Sequence, residues 1–241
     1  LAILADGMGG HRGGEVASAI TVSTIFETLS KKLKSLSEGG TDEETGYSME
    51  SKTIPDAIMP ANNNGFKSSN ENAQYQGMGT TVVVELFYDN RFTVAHVGDS
   101  RLYRIRDGVL ERVTRDHSLL QELVDRGFYT PEQARKSLNK NLVTRAIGIE
   151  ESVRIDIQED VTQIGDIYLL CSDGLSDMIE DDLIHETIKR NTDNLEKAAT
   201  ELIEEANRHG GKDNISVILV RPLKSFPAKN SLFSRFFDLF S

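Results

Sequence analysis

An apolar run that stops on an Asp-Gly pair and passes into helix-like sequence occurs twice in this chain, as LAILADG at 1–7 and DIYLLCSDG at 166–174. Each reads as a strand ending on a carboxylate at a sheet edge, since Gly permits a sharp exit and Asp is at home in turns. A third pair, Asp107-Gly108, lies between two alternating strands and reads as a type I′ turn. Asp99, in AHVGDSR, closes another apolar half-strand, and Asp213, in GGKDN, directly precedes ISVILV. In an antiparallel sheet the start of one strand lies beside the end of its neighbour, so Asp6, Asp99, Asp173 and Asp213 can share one edge. Four carboxylates gathered there repel one another and either take up protons or bind cations. Hard oxygen ligands without a Cys or His cluster point to Mg²⁺ or Mn²⁺ rather than Zn²⁺, and the five histidines, at 11, 96, 117, 185 and 209, lack zinc-site spacing.

The five glycines within 1–15 suggest a phosphate cradle, but both G-x-x-x-x-G-K-[ST] and G-x-G-x-x-G fail when read along them. Asp6 also has the wrong charge for a direct phosphate contact. With a cation on Asp6 and on the Gly7 carbonyl, the glycines acquire another use: they let backbone and ion-bound waters approach without side chains between them. The formal net charge of −11 repels nucleic acid and anionic membrane, and makes cations the natural partners. Cys171 is the single cysteine, so no intrachain disulfide forms, and a reducing, cytoplasmic setting is expected. No run reaches the roughly 18 apolar residues of a membrane span.

Downstream, Val16, Ala19, Ile20, Ile25, Phe26, Leu29, Leu33 and Leu36 are spaced as one face of an amphipathic helix. Residues 37–77 turn polar, with one short apolar patch interrupted by Pro60; this predicts a long connection carrying one short helix. From Met78 the sequence is dense in Val, Thr, Phe and Tyr, cut by Asp89-Asn90 and Asp107-Gly108, and predicts an antiparallel meander. Gly127 ends one short helix, and Thr130, Pro131 and Gln133 supply the cap, first-turn proline and capping-box partner of the next. VRIDIQED and DIYLLCS read as strands, followed by helices over 181–189 and 195–208 and a last strand, NISVILVRP. The pattern predicts an α+β fold.

Seven ordered segments, ADGMGGHRGGEVAS, GMGTTVVV, AHVGDSRLYRIRDG, TRDHS, VTRAIG, LLCSDGLSDMI and GGKDNISVILV, resemble the successive motifs of the protein phosphatase 2C family in its bacterial form. The resemblance implies a four-layer α-β-β-α sandwich of two antiparallel sheets flanked by helices, with residues 1–222 as catalytic domain and 223–241 as an amphipathic tail. It further implies a metal-dependent protein serine/threonine phosphatase: Asp6, the Gly7 carbonyl, Asp173 and Asp213 hold two core Mn²⁺ or Mg²⁺ ions. Asp99, Asp173 and Asp177 hold a third, weaker one. A water activated by the core ions attacks the phosphorus of phosphoserine or phosphothreonine in line, with no covalent enzyme intermediate. Residues 117–144 match the family's flap, which borders the site and varies with substrate. Phosphorylated proteins, in opposition to a serine/threonine kinase, are the implied partners of a monomeric enzyme.

Two departures bear on this reading. The family's motif with a phosphate-contacting Arg followed by Asn-Glu-Asp belongs upstream of the opening strand and is expected to precede Leu1. The animal enzymes place a proposed proton-donating His directly after the first Asp-Gly, where this chain has Met8, so His11, water or another group serves, or the step is unassisted. The rival reading, motivated by the missing upstream motif, is a catalytically weak member that binds phosphoproteins. A Rossmann-like nucleotide enzyme is opposed by the failed fingerprint. Thr80 and Thr81 read as strand residues with hydroxyls near the site, Cys171 as packing, and Arg145 as either a phosphate contact or an ion pair. Leu232, Phe233, Phe236, Phe237 and Phe240 form an apolar stripe that docks on its own domain in preference to a partner or membrane interface.

Overall fold

A computed structural model of the 241-residue chain describes residues 1–9, 11–36, 40–135, 137 and 142–228, with the side chains of 11 and 135 outside that description. The tail stripe of Leu232 to Phe240 lies outside the described residues. The strands, in chain order, are β1 (Ala2–Leu4), β2 (Gly7–Met8), β3 (Gly79–Thr80), β4 (Val82–Tyr88), β5 (Arg91–Val97), β6 (Arg101–Arg106), β7 (Val109–Arg112), β8 (Asp156–Val161), β9 (Ile167–Cys171) and β10 (Val217–Val220). They form one sheet of order β1-β4-β5-β8, another of order β10-β9-β6-β7, and a small β2-β3 pair. Every pairing is antiparallel.

Alternation along the strands sets the layers. Val82, Val84 and Leu86 of β4 pack with Ile25, Leu29, Ile54 and Ile58 of the helices on one side. Val83 of β4, with Phe92 and Val94, instead meets Leu102, Tyr168 and Leu170 of the second sheet. The opposite face of that sheet, through Tyr103, Leu169 and Cys171, packs on Leu175, Ile184, Ile188 and Leu202. The period-2 pleat thus builds the helix-sheet-sheet-helix order, and each fully buried aliphatic side chain contributes about 2 kcal/mol. Both hairpin turns have the left-handed backbone expected of them, with φ of 42° and 54° at Asp89 and Asn90, and 51° and 75° at Asp107 and Gly108.

Helices α1 (His11–Ser35) and α2 (Met49–Glu71) cover the first sheet. Ala17, Thr21, Ile25 and Leu29 form the buried stripe of α1, whereas Ala19 and Phe26, assigned to that face by spacing, are exposed. The larger correction is α2, 23 residues long where a long connection carrying one short helix was expected, and containing Pro55 and Pro60. Ser48 caps it, accepting a 3.0 Å hydrogen bond from Ser51 N–H. Ile54, Ala57, Ile58 and Ala61 are wholly buried, so tertiary burial outweighs the lost backbone bonds of the prolines. Asn62 pins the helix further, donating to the Glu150 and Glu151 carbonyls and accepting from Gly148 N–H.

The flap bears two short helices, α3 (Leu119–Asp125) and α4 (Pro131–Arg135); the capping box forms as expected, with Gln133 N–H donating to Thr130 Oγ1 and Thr130 N–H to Gln133 Oε1. The second sheet is covered by α5 (Asp173–Ser176), α6 (Asp181–Arg190) and α7 (Leu195–Arg208). Among the described residues, no helix is long and apolar enough to cross a membrane.

Candidate metal centre

One rim of the sandwich collects the carboxylates. In the first sheet Leu4 pairs with Val83, and Val82 with Val97, so β1 and β5, on either side of β4, end at the same edge and Asp6 and Asp99 follow them. In the second sheet Cys171 pairs with both Arg101 and Val217, which puts the end of β9, the start of β6 and the start of β10 together. The turn at Gly98, Asp99 and Ser100 carries the chain from one sheet to the other at this rim.

Local bonds fix each carboxylate-bearing turn. Asp6 is held through its backbone: its carbonyl accepts from Thr80 Oγ1 at 2.7 Å and Thr81 N–H at 2.8 Å, and its N–H donates to Thr81 Oγ1 at 3.1 Å. Ser172, a residue the sequence reading passed over, ties the Asp173 turn to the Asp213 loop. Its hydroxyl donates to the Asn214 carbonyl and accepts from Ser216 N–H. A Cβ at Gly174 would lie 2.3 Å from Asn214 O, so the absence of a side chain there permits the two segments to touch. A Cβ at Gly7 would lie 2.1 Å from Gly14 O, which explains why glycine stands on both sides of that contact.

Electrostatics shows how closely the acids converge. Burial raises Asp6 to about 7, reinforced by the charge of Asp173, a hydrogen bond to Asp173, and the charges of Asp213 and Asp99. Burial likewise raises Asp99 to about 7, reinforced by Asp173 and Asp116. Asp173 is pushed up by burial and by Asp177 and Asp213, and held down by its hydrogen bond with Asp6. A proton shared between Asp6 and Asp173 therefore relieves like-charge repulsion. The guanidiniums nearby are committed elsewhere: Arg101 grips Asp116 through three contacts of 2.7–3.1 Å, and Arg112 donates to Gln121.

Asp173 is thus within electrostatic reach of each of the other predicted carboxylates, Asp6, Asp99, Asp177 and Asp213, and Gly7 follows Asp6 in the chain. Asp173 Oδ1 is buried and has no hydrogen-bond partner among the described residues, an acceptor left over for something outside them. An oxygen-only donor set with an orphaned buried carboxylate oxygen fits a hard divalent cation. Among the described residues no three or more His, Cys, Asp or Glu side chains are placed so that together they could hold an ion, so the acids must draw in around one. A cavity of about 340 Å³ is lined by Asp99, Asp173 and Asp177 together with Gln121 and Val124 of the flap.

The remaining candidates separate. Arg145 is an ion-pair residue, donating to Asp156 at 2.8 Å beside His117 Nε2 at 3.0 Å. Cys171 is fully buried and its thiol is pushed up to about 12, chiefly by burial, so it packs rather than reacts. Met8 pairs with Gly79 in the small β2-β3 ribbon, and the His11 side chain lies outside the described residues.

Comparison with known proteins shows the family. The protein phosphatase 2C family model matches residues 1–216. The Mycobacterium tuberculosis serine/threonine protein phosphatase PstP is 38% identical over 221 residues, covering 91% of this chain and 40% of the relative. Serine/threonine phosphatase stp of Listeria monocytogenes is 38% identical over 220 residues, covering 91% of this chain and 83% of the relative. This chain therefore spans about two fifths of the length of the mycobacterial relative. The crystal structure of M. tuberculosis PstP superposes with a TM-score of 0.78 at 36% identity, covering 90% of this chain and 86% of that one. The PstP catalytic domain in complex with two manganese ions gives 0.76 at 35% identity, covering 90% and 85%. On its motifs, its layers and its relatives, this chain belongs to the protein phosphatase 2C family.

Proposed function

We propose that this chain is a protein serine/threonine phosphatase that removes phosphate from phosphoserine and phosphothreonine with Mn²⁺ or Mg²⁺ held at the acidic rim. The observation that carries the reading is the convergence of Asp6 and Asp213 on Asp173, whose buried carboxylate oxygen no group among the described residues satisfies. Asp6, the Gly7 carbonyl, Asp173 and Asp213 are the residues that would hold two core ions, and Asp99, Asp173 and Asp177 a third. When bound, such ions supply Lewis acidity toward the phosphoryl oxygens and an activated water. The manganese-bound PstP catalytic domain supports that chemistry by similarity.

The chain's own residues do the rest. The five acids give the rim a negative field, which keeps a phosphoryl dianion away unless cations neutralise it, so substrate capture and ion binding are linked. The cavity lined by Asp99 and Asp173 gives a phosphorylated side chain a place to enter, and the flap residues Gln121 and Val124 also line it. Gly7 and Asp213 are exposed, leaving an approach from solvent. With Cys171 sealed in the core, no thiol nucleophile serves the site. The reading includes phosphoprotein substrates opposed to a kinase, a monomeric state and a cytoplasmic setting, the last supported by the lone, buried cysteine.

The test is hydrolysis of a phosphothreonine peptide by the full chain with Mn²⁺, with Mn²⁺ plus excess EDTA, and by Asp173→Asn with Mn²⁺. The reading expects phosphate release in the first case alone, and equal release in all three overturns it.

A further inference from the structure

The acidic rim is assembled from two sheets, so something must hold Asp6, which ends a strand of the first, in register with Asp99, which leads into the second. Strand β4 pairs with both β1 and β5, and the residue that leads into it, Thr81, touches both turns. Its backbone and its side chain do different things there. The N–H donates to the Asp6 carbonyl at 2.8 Å, and Oγ1 accepts from Asp6 N–H at 3.1 Å, so a single residue grips both polar groups of the Asp6 backbone. The same Oγ1 shares a 2.7 Å hydrogen bond with Ser100 Oγ, the residue directly after Asp99. The methyl meets the other side of that turn: a Cβ at Gly98 would sit 2.6 Å from Thr81 Cγ2. Thr81 and Ser100 are 2% and 1% exposed, so water is excluded from competing for these bonds.

We propose that Thr81 is a positioning residue that joins the two halves of the rim, setting the Asp6 backbone against the turn at Gly98, Asp99 and Ser100 through its hydroxyl and its methyl. The inference rests on the reading above that Asp6 and Asp99 hold ions. Threonine alone suits the place: serine lacks the methyl against Gly98, and valine lacks the hydroxyl shared by Asp6 and Ser100. Its branched Cβ restricts χ1, so the hydroxyl is held in place before any cation arrives. Groups that orient ligands in this way act on ion affinity although they never touch the ion.

Calorimetric titration of the full chain with Mn²⁺ alone tests the joint without recourse to turnover. Thr81→Val keeps shape and branching but strands Asp6 N–H and Ser100 Oγ, and its Mn²⁺ affinity should fall about 10- to 100-fold, the range typical of lost ligand-orienting partners. Thr81→Ser keeps the hydroxyl and should recover most of that loss. Ser100→Ala breaks only the Asp99 side and should weaken the weakest binding step while sparing the tighter ones. Thr80→Val should cost less than Thr81→Val, because Thr81 N–H still serves the Asp6 carbonyl. Wild-type affinity in Thr81→Val, or equal losses in Thr81→Ser and Thr81→Val, overturns the proposal. Should Thr81→Val not fold, an unchanged titration for Ser100→Ala overturns it as well. A wild-type chain that takes up no Mn²⁺ overturns the ion reading beneath it, which the wild-type titration shows separately from any variant.

Discussion

The two ends of β9 treat an aspartate in opposite ways. Asp166, just before the strand, is 2% exposed, yet receives Arg106 through two contacts of 2.9 and 2.7 Å, together with Gln163 N–H and the Tyr168 hydroxyl. Burial alone would raise it, but those donors prevail and hold its carboxyl below the usual range. Asp173, just after the strand and roughly 23 Å away at 3.3 Å per residue, has other acids for neighbours, is pushed up, and keeps one oxygen without a partner. The chain supplies a cation where the carboxylate is structural. Where it withholds one, the missing charge must come from outside.

Glu85 shows that burial by itself does not make an ion site. It is wholly buried between the sheets, neither oxygen has a partner, and burial raises it to about 8. It pairs across the strands with Ala2 and Val94, which offer no second carboxylate, so a proton rather than a divalent ion neutralises it.

Breaking each end of β9 should have opposite signatures, and the largest belongs to the rim. Asp173→Asn should lower turnover by about a thousandfold or more, or about 4 kcal/mol of transition-state stabilisation, while raising the melting temperature in EDTA because it removes like-charge repulsion. An unchanged turnover with a lowered melting temperature would make Asp173 as structural as Asp166. Next in size, Asp166→Asn leaves Arg106 without its carboxylate and should cost about 3 kcal/mol of stability in urea titrations. Its turnover per folded molecule should match the wild type, and a loss comparable to that of Asp173→Asn would erase the distinction. The smallest effect sharpens the comparison through Glu85. A folded-state value above the unfolded one means stability is greatest at low pH and is lost as pH rises toward about 8. Between pH 6 and 8 the metal-free wild type should lose about 2 kcal/mol more than Glu85→Gln, which has no proton to give up. Parallel stability curves for the two would place an unseen partner on Glu85.

How much of this the sequence disclosed depends on range. The strand-Asp-Gly pattern located Asp6 and Asp173, and the turns at Asp89-Asn90 and Asp107-Gly108 and the cap at Thr130 formed as expected, because each is decided within a few residues. Of helix α2 only a short piece was legible: Pro55 and Pro60 argue locally against its full length, and the buried face against the sheet and α1 overrides them. The transfer of the chain between sheets at Asp99 was equally hidden, since a meander within one sheet and a crossover between two have the same alternation. Ser172 carried a faint signal as a hydroxyl between a strand and Asp-Gly, but its partners lie more than forty residues away. The Arg106–Asp166 pair, 60 residues apart in sequence, carried none.

The central claim is that Asp173 keeps a buried oxygen without a partner because the rim holds cations. Diffraction from crystals of the full chain grown with Mn²⁺, recorded at the manganese absorption edge, tests it most directly. The account predicts at least two anomalous peaks enclosed by Asp6, the Gly7 carbonyl, Asp173 and Asp213, with oxygen ligands and no histidine or thiol. Well-ordered carboxylates at that rim with no peak among them, or manganese bound only elsewhere on the molecule, would contradict it.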